Sequence, residues 1–244
     1  INDNNYNNFD NGRKGYYGMF RTAAERGLCK SFADLGIPLI PEKDWDDIIR
    51  QKQKDQATIV DLCKELRLAC KNQERTNYCW VNAPTHCCEI IRLMETGQVI
   101  SYSPASAGAP IKNFSNSGGW GNQALEYFKV NGLNLSTDWP DNAIQRSYYT
   151  SENKLLAKKN IVREYYILDN WVERGSCIVQ DVPTADGYDW WSHEVTGAGI
   201  VLMSHDLIIR NSWGMTWGDQ GFGILSGSKK QASDSVAILT MEPK

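Results

Sequence analysis

Asn211-Ser212-Trp213-Gly214, continued after two residues by Trp217-Gly218-Asp219-Gln220-Gly221-Phe222, is the most specific stretch of this 244-residue chain. Working outward toward the N-terminus, Leu207 to Arg210 is a short Ile-rich run, Met203-Ser204-His205-Asp206 has turn chemistry, and Val195 to Met203 is a second apolar run opened by His193. Two such runs around a turn predict a β-hairpin, and antiparallel pairing brings its far ends, His193 and Asn211, side by side. The expected consequence is mechanical. The Asn211 amide oxygen accepts the Nδ1 hydrogen of the imidazole and leaves Nε2 aimed at a nucleophile.

The chain has three histidines and seven cysteines. His86 stands in Thr85-His86-Cys87-Cys88, but adjacent residues on a helix point apart and do not converge on one metal ion, so no metal site is expected. His205 is read as an exposed turn residue. Cys79 precedes a helical pattern in which Ala83, Cys87, Ile90 and Met94 share a face and Gly97 is the stop. A thiol at that position is expected to be favoured as thiolate by the helix dipole and a neighbouring imidazolium. Cys63, Cys70, Cys87 and Cys88 are read as small buried hydrophobes.

With Asn72-Gln73, Cys79-Trp80, Gly118-Gly119-Trp120, Ser192-His193 and the Asn211 to Phe222 block taken in order, the sequence resembles the papain-like cysteine protease family (papain and cathepsin type, peptidase C1), as a divergent member. Ile40-Pro41-Glu42-Lys43-Asp44-Trp45 is similar to the start of that family's mature domain. The resemblance implies an α+β, papain-like fold with a mainly helical N-terminal lobe (about 40–135), an antiparallel β-barrel-like C-terminal lobe (about 136–244) and an active-site cleft between them. Residues 1–39 are left as an N-terminal extension, partly disordered, with a surface for a protein partner of unknown identity.

The same resemblance implies roles for individual residues. Cys79 is the nucleophile that forms a thioester acyl-enzyme, His193 carries the proton, Asn211 orients the imidazole, and Gln73 joins the backbone N–H of Cys79 in stabilising the oxyanion. Trp213 shields the His193–Asn211 bond from water. Gly118 and Gly119 let an extended peptide approach, while Trp120 and Gly121 stand at positions similar to the family's pocket for the second residue before the scissile bond, with Trp191 and Ser192 on the other wall, and a bulky apolar side chain is expected there. Peptide or protein is the implied substrate, and no cofactor is called for. Two alternatives stay open: a catalytically weak or inactive papain-like structural or interaction module, and a Cys-His-Asn acyl-transfer enzyme such as an amidase or transpeptidase.

The sequence also departs from the family's pattern. Thr76-Asn77-Tyr78 replaces the usual spelling before the nucleophile, and Asn116 stands where the resemblance implies a disulfide partner, so that bridge is absent. Asn77 suits a left-handed backbone there, and Tyr78 is expected to crowd the site beside the scissile bond. Pro84 falls in the second turn of the catalytic helix, where a missing N–H and a ring clash cost about 3 kcal/mol, and predicts a kink or a helix start displaced to Thr85.

Composition bounds the remainder. With 26 Lys+Arg against 29 Asp+Glu and a net charge of -3, there is no basic footprint for nucleic acid. The longest mainly apolar stretch, Val195 to Met203, falls far short of the ~20 residues that span a bilayer, so membrane insertion is not expected. The chain opens at Ile1 with no signal-peptide pattern; a soluble protein is expected, with the missing bridge pointing to a reducing origin. Helices are predicted within Asp44 to Ala69, after Cys79 and over Asn122 to Val130. Strands are predicted over Ile161 to Leu168, Cys177 to Val182, Val195 to Met203, Leu207 to Arg210 and Ala237 to Met241. Asn11-Gly12 with Gly15 to Gly18 is read as a small hairpin.

Overall fold

The computed structural model describes residues 1–6, 15–239 and 241–243. Eight helices lie along the described chain: α1 (Ala23–Gly27), α2 (Trp45–Lys54), α3 (Ile59–Glu65), α4 (Cys79–Thr96), α5 (Ala105–Ile111), α6 (Gly121–Asn131), α7 (Ser151–Ala157) and α8 (Trp171–Val179). The strands are β1 (Lys30–Ser31), β2 (Asn160–Val162), β3 (Tyr165–Ile167), β4 (Thr184–Tyr188), β5 (His193–Ile200), β6 (Leu207–Arg210), β7 (Phe222–Leu225), β8 (Asp234–Ile238) and β9 (Met241–Pro243). Seven of them form one sheet in the order β1-β3-β8-β4-β5-β6-β7, antiparallel except where β1 meets β3. The predicted β5–β6 hairpin is present, with Thr196 opposite Arg210 and a register shift between Gly197 and Gly199.

Local chemistry explains the helix boundaries. Thr58 and Asp61 form a reciprocal capping box at the start of α3, and Gly97 takes a left-handed conformation (φ 68°) that ends α4. The segment Cys177 to Val182, read as a strand, belongs instead mostly to α8. The Asn170 side chain caps that helix by accepting the Glu173 N–H, and its apolar side packs on Trp45 and Ile49 of α2. The β-branched pair Ile178-Val179 misleads because burial on one helix face overrides intrinsic preference.

Helix α4 is the central element. Every residue from Cys79 to Leu93 is buried, with Trp80, Val81, Ala83, Cys87, Cys88 and Ile91 sharing a core with α6, β4 and β8. Pro84 lies inside the helix, which begins at Cys79, so the expected displaced start at Thr85 does not occur. Side chains also bond to carbonyls of this helix and its N-cap: Asn82 Nδ2 to Tyr78 O (2.8 Å), Thr85 Oγ1 to Val81 O (2.7 Å) and Thr196 Oγ1 to Ala83 O (2.9 Å). Packing on all sides outweighs the local cost of proline.

The N-terminal residues lie on this body. Ile1 bonds through its backbone to Ile224 and Ser226, α1 is capped by Thr22, and residues 15–19 enter the groove described below. Asn11-Gly12 of the proposed hairpin lies outside the described residues.

Candidate active site

Cys79 occupies the first position of α4 and is fully buried. The backbone N–H groups of Glu194, Trp80 and Gly15 act to favour its thiolate form. His193 opens β5 immediately before Glu194, so pairing of β5 with its neighbours carries the imidazole to the same end of the sheet. Its Nε2 lies 2.7 Å from Asn211 Oδ1. The expected ring orientation is therefore reversed: Nε2 meets the amide, and Nδ1 lies on the other side of the ring. Strand pairing sets the two residues together but leaves the rotation of the ring to its packing.

That packing is aromatic. Trp213 stacks on the imidazole with centroids 4.9 Å apart, and Trp191 meets it edge-on at 4.8 Å while stacking on Trp190. Trp213 is buried, so the His193–Asn211 bond has an indole over it.

Gln73 is tied to the same block. Residues 71–73 bridge antiparallel to 212–214 through Gln73 N–H to Ser212 O (2.8 Å) and Gly214 N–H to Lys71 O (2.9 Å). The Gln73 side chain accepts from Ser212 Oγ at 2.6 Å and donates one amide hydrogen to Thr76 O at 2.8 Å. Beneath it, the buried Lys71 ammonium meets Glu89 (2.8 Å) and Asp141 (3.1 Å), which anchors the loop.

Asn116 does not leave a gap where a bridge is absent. Its Oδ1 accepts the Asn77 N–H at 2.7 Å and its Nδ2 donates to Arg75 O at 2.9 Å, while Asn77 Nδ2 donates back to Asn116 O at 3.3 Å. All seven cysteines are free. Asn77 is not left-handed. Tyr78 does not crowd the site: its ring is buried against Gly108, and its hydroxyl donates to Ser115 O at 2.8 Å.

The remaining expected residues line a groove filled by the chain's own N-terminal segment. Tyr17 N–H donates to Gly119 O (2.9 Å), Gly119 N–H to Gly15 O (2.8 Å), and the N–H groups of Gly15 and Tyr16 to Ser192 O (3.3 and 3.2 Å). Tyr16 thereby forms a parallel bridge with Gly119. Gly118 has no room for a side chain, since a Cβ would lie 2.5 Å from Gly15 O, and Trp120 meets Tyr17 edge-on at 5.4 Å.

Electrostatics follow from this filling. Burial pushes the Cys79 thiol up to about 12, a negative charge on Glu194 acts in the same direction, and the three N–H groups oppose both. The expected thiolate is thus disfavoured while the groove is occupied. Glu194 itself, also fully buried, is held well above the usual carboxylate range by burial and by Asp186 and Asp234. Sequence reasoning missed Glu194; the available signal was an acidic residue inside an apolar strand, directly after the candidate histidine.

The other histidines play structural parts. His86 Nε2 accepts the Lys71 N–H at 2.8 Å, and burial holds the ring neutral. His205 sits in the β5–β6 turn but is only partly exposed, bonded to Glu42 (3.0 Å) and Asp46 (3.2 Å). Among the described residues, no group of His, Cys, Asp and Glu could hold a metal ion, and no helix is long and apolar enough to cross a membrane.

No protein-family model matches the chain. Among curated proteins it is 24% identical over 233 residues to cathepsin L 2 of Paramecium tetraurelia, covering 86% of this chain and 71% of that protein. It is 23% identical over 243 residues to fruit bromelain of Ananas comosus, covering 90% and 64%. Among solved structures, xylellain, a cysteine protease from Xylella fastidiosa, aligns with a TM-score of 0.65 at 14% identity over 94% of this chain and 97% of that one. Digestive procathepsin L 3 of Tenebrio molitor aligns with a TM-score of 0.58 at 18% identity, covering 70% and 66%. The fold is papain-like.

Proposed function

We propose that this divergent member of the papain-like cysteine protease family is a thiol endopeptidase whose groove is occupied, as folded, by its own residues 15–19. The observation that carries the reading is the 2.7 Å contact of His193 Nε2 with Asn211 Oδ1 beneath Trp213, with Cys79 buried at the first position of α4.

In this reading His193 takes the Cys79 proton, and the sulfur attacks the carbonyl carbon of an extended peptide. The Cys79 N–H and the second Gln73 amide hydrogen stabilise the oxyanion. His193 then protonates the leaving amine as the C–N bond breaks, giving a thioester, and activates the water that releases the acid and restores the thiol. Asn211 accepts the Nε2 hydrogen and so leaves Nδ1 to exchange the proton with sulfur. The groove's capacity for an extended chain is supported by the bonds that Gly119 and Ser192 make to residues 15–17.

The filled groove and the protonated thiol favour one competing reading, a module that keeps the fold without turnover. Cleavage of an unfolded protein by the chain with its segment displaced, lost in Cys79→Ser and His193→Ala, supports the peptidase. No cleavage by a folded, displaced chain supports the inert module.

A further inference from the structure

Tyr16 enters a pocket that the mechanism does not use. Three residues on neighbouring strands stand in one row, Glu194 on β5 opposite Gly187 on β4, and Asp234 on β8 opposite Gly187 from the other side. Directly paired residues project to the same sheet face. Gly187 contributes no side chain, and the space is taken by the Tyr16 phenol: a Cβ on Gly187 would lie 2.0 Å from its hydroxyl. The phenol therefore sits above a bare position between two carboxyl groups.

Glu194 is the carboxyl group left unbalanced there. Both Glu194 oxygens are buried without a hydrogen-bond partner among the described residues. Burial pushes Asp234 up, against a long 3.5 Å bond that it accepts from the Met19 N–H and against Arg26 and the Tyr16 hydroxyl, which also favour its charged form. Asp186, on the same strand as Gly187, is occupied with Thr184 at 3.0 Å, Ser235 and Arg174, and Arg26 is paired with Asp169. The groups whose charge bears on the Tyr16 hydroxyl are Glu194, Asp234, Asp189 and Cys79, all acids, and with burial they push the phenol up. The far wall includes Gly121, where a Cβ would lie 2.8 Å from Glu194 Oε2. That position belongs to the subsite expected to receive the second residue before the scissile bond.

We infer that this pocket is a subsite for a cationic side chain, lysine or arginine, and that Glu194 and Asp234 determine that specificity. The inference rests on Cys79 being the nucleophile of a peptidase, and it replaces the apolar preference expected at this position. A buried carboxyl group without a partner is costly, and a cation hydrogen-bonded to it removes that cost. An extended lysine reaches about as far as a tyrosine hydroxyl and would put its ammonium between the two acids. As it enters, Glu194 releases its proton to solvent, so the pair forms with charge balanced.

Two measurements on the full chain test this. In the first, Tyr16→Lys and Tyr16→Met, side chains of similar reach, are compared by thermal melting at neutral pH. Lysine should melt several degrees higher than methionine, with the difference lost in Glu194→Gln and Asp234→Asn backgrounds. A methionine variant at least as stable as the lysine variant overturns the cationic pocket whatever the activity. In the second, the chain with its segment displaced by Gly15→Ala is given fluorogenic peptides carrying Arg or Leu two residues before the cleaved bond. Arg should be favoured in kcat/KM by at least about tenfold, and Glu194→Gln should abolish the preference. Preference for Leu in the parent overturns the proposal. If no peptide is cleaved and Cys79 stays unlabelled by active-site reagents, the peptidase reading fails, and the melting comparison alone decides the pocket's chemistry.

Discussion

Gly15 sits where the N-terminal segment passes Cys79, the proposed nucleophile. Its N–H donates to Ser192 O at 3.3 Å, and a Cβ there would lie 2.2 Å from the Asn77 carbonyl oxygen. Backbone cannot yield as a flexible side chain would, and overpacking of this kind costs about 1–3 kcal/mol. Gly15→Ala should therefore lift the segment and raise the rate at which iodoacetamide alkylates Cys79 by about tenfold, since ~1.4 kcal/mol corresponds to that factor; an unchanged rate would show that the segment does not guard the thiol. In the opened chain, Gln73→Ala should lower kcat by about 10²–10³, as loss of an oxyanion donor does, with little change in KM. At this scale the sequence was most informative. Cys79, His193, Asn211 and Gln73 are proposed from order and spelling, and the His193–Asn211 contact expected from hairpin logic is present. The ring's rotation was not legible, because stacking by Trp191 and Trp213 decides it. Nor was the protonated thiol, because residues distant in sequence bury it.

Among the elements, the hairpin β5–β6, the helices within Asp44 to Ala69, and the Gly97 end of α4 were readable from period and caps. Two failures have a common cause. Pro84 and the β-branched end of α8 both oppose helix locally, and both lie in helices because the surrounding core holds them there. Gly175 illustrates how close that packing is, since a Cβ would lie 1.9 Å from the Trp45 ring. The strap between residues 75–77 and Asn116 is the element that stands in for a covalent link. Asn116→Ala removes its side-chain bonds to Asn77 and Arg75 and should cost about 1–2 kcal/mol at roughly 0.5–1.5 kcal/mol per bond. Chemical denaturation would read this as a lower midpoint with an unchanged slope, and an unchanged midpoint would show that the strap carries no stability.

Over the whole molecule, buried and exposed carboxyl groups pull the pH dependence in opposite directions. Glu42, Asp46 and Glu164 lie below their ordinary range through partners such as the Trp171 indole N–H, the Met203 N–H and Lys129, which outweigh burial, and they stabilise the fold less as pH falls. Glu194 lies well above its ordinary 4.5, chiefly through burial, with Asp186 and Asp234 adding to it. The folded state then binds more protons than the unfolded one, so its contribution is fully present below about 4.5 and is lost as pH rises through the shifted value. Glu194→Gln should gain on the parent in melting temperature as pH is raised from acid to neutral, and a constant gap would contradict that environment. The same carboxyl group links stability, thiol and subsite, because it faces Cys79 and the Tyr16 pocket together. The measurement that tests the central claim most directly is mass-spectrometric labelling of the Gly15→Ala chain with a peptidyl epoxide at neutral pH. One adduct should form on Cys79, in equal stoichiometry with protein, and should be lost in His193→Ala; a folded chain left unlabelled at Cys79, or labelled equally without His193, would contradict the account.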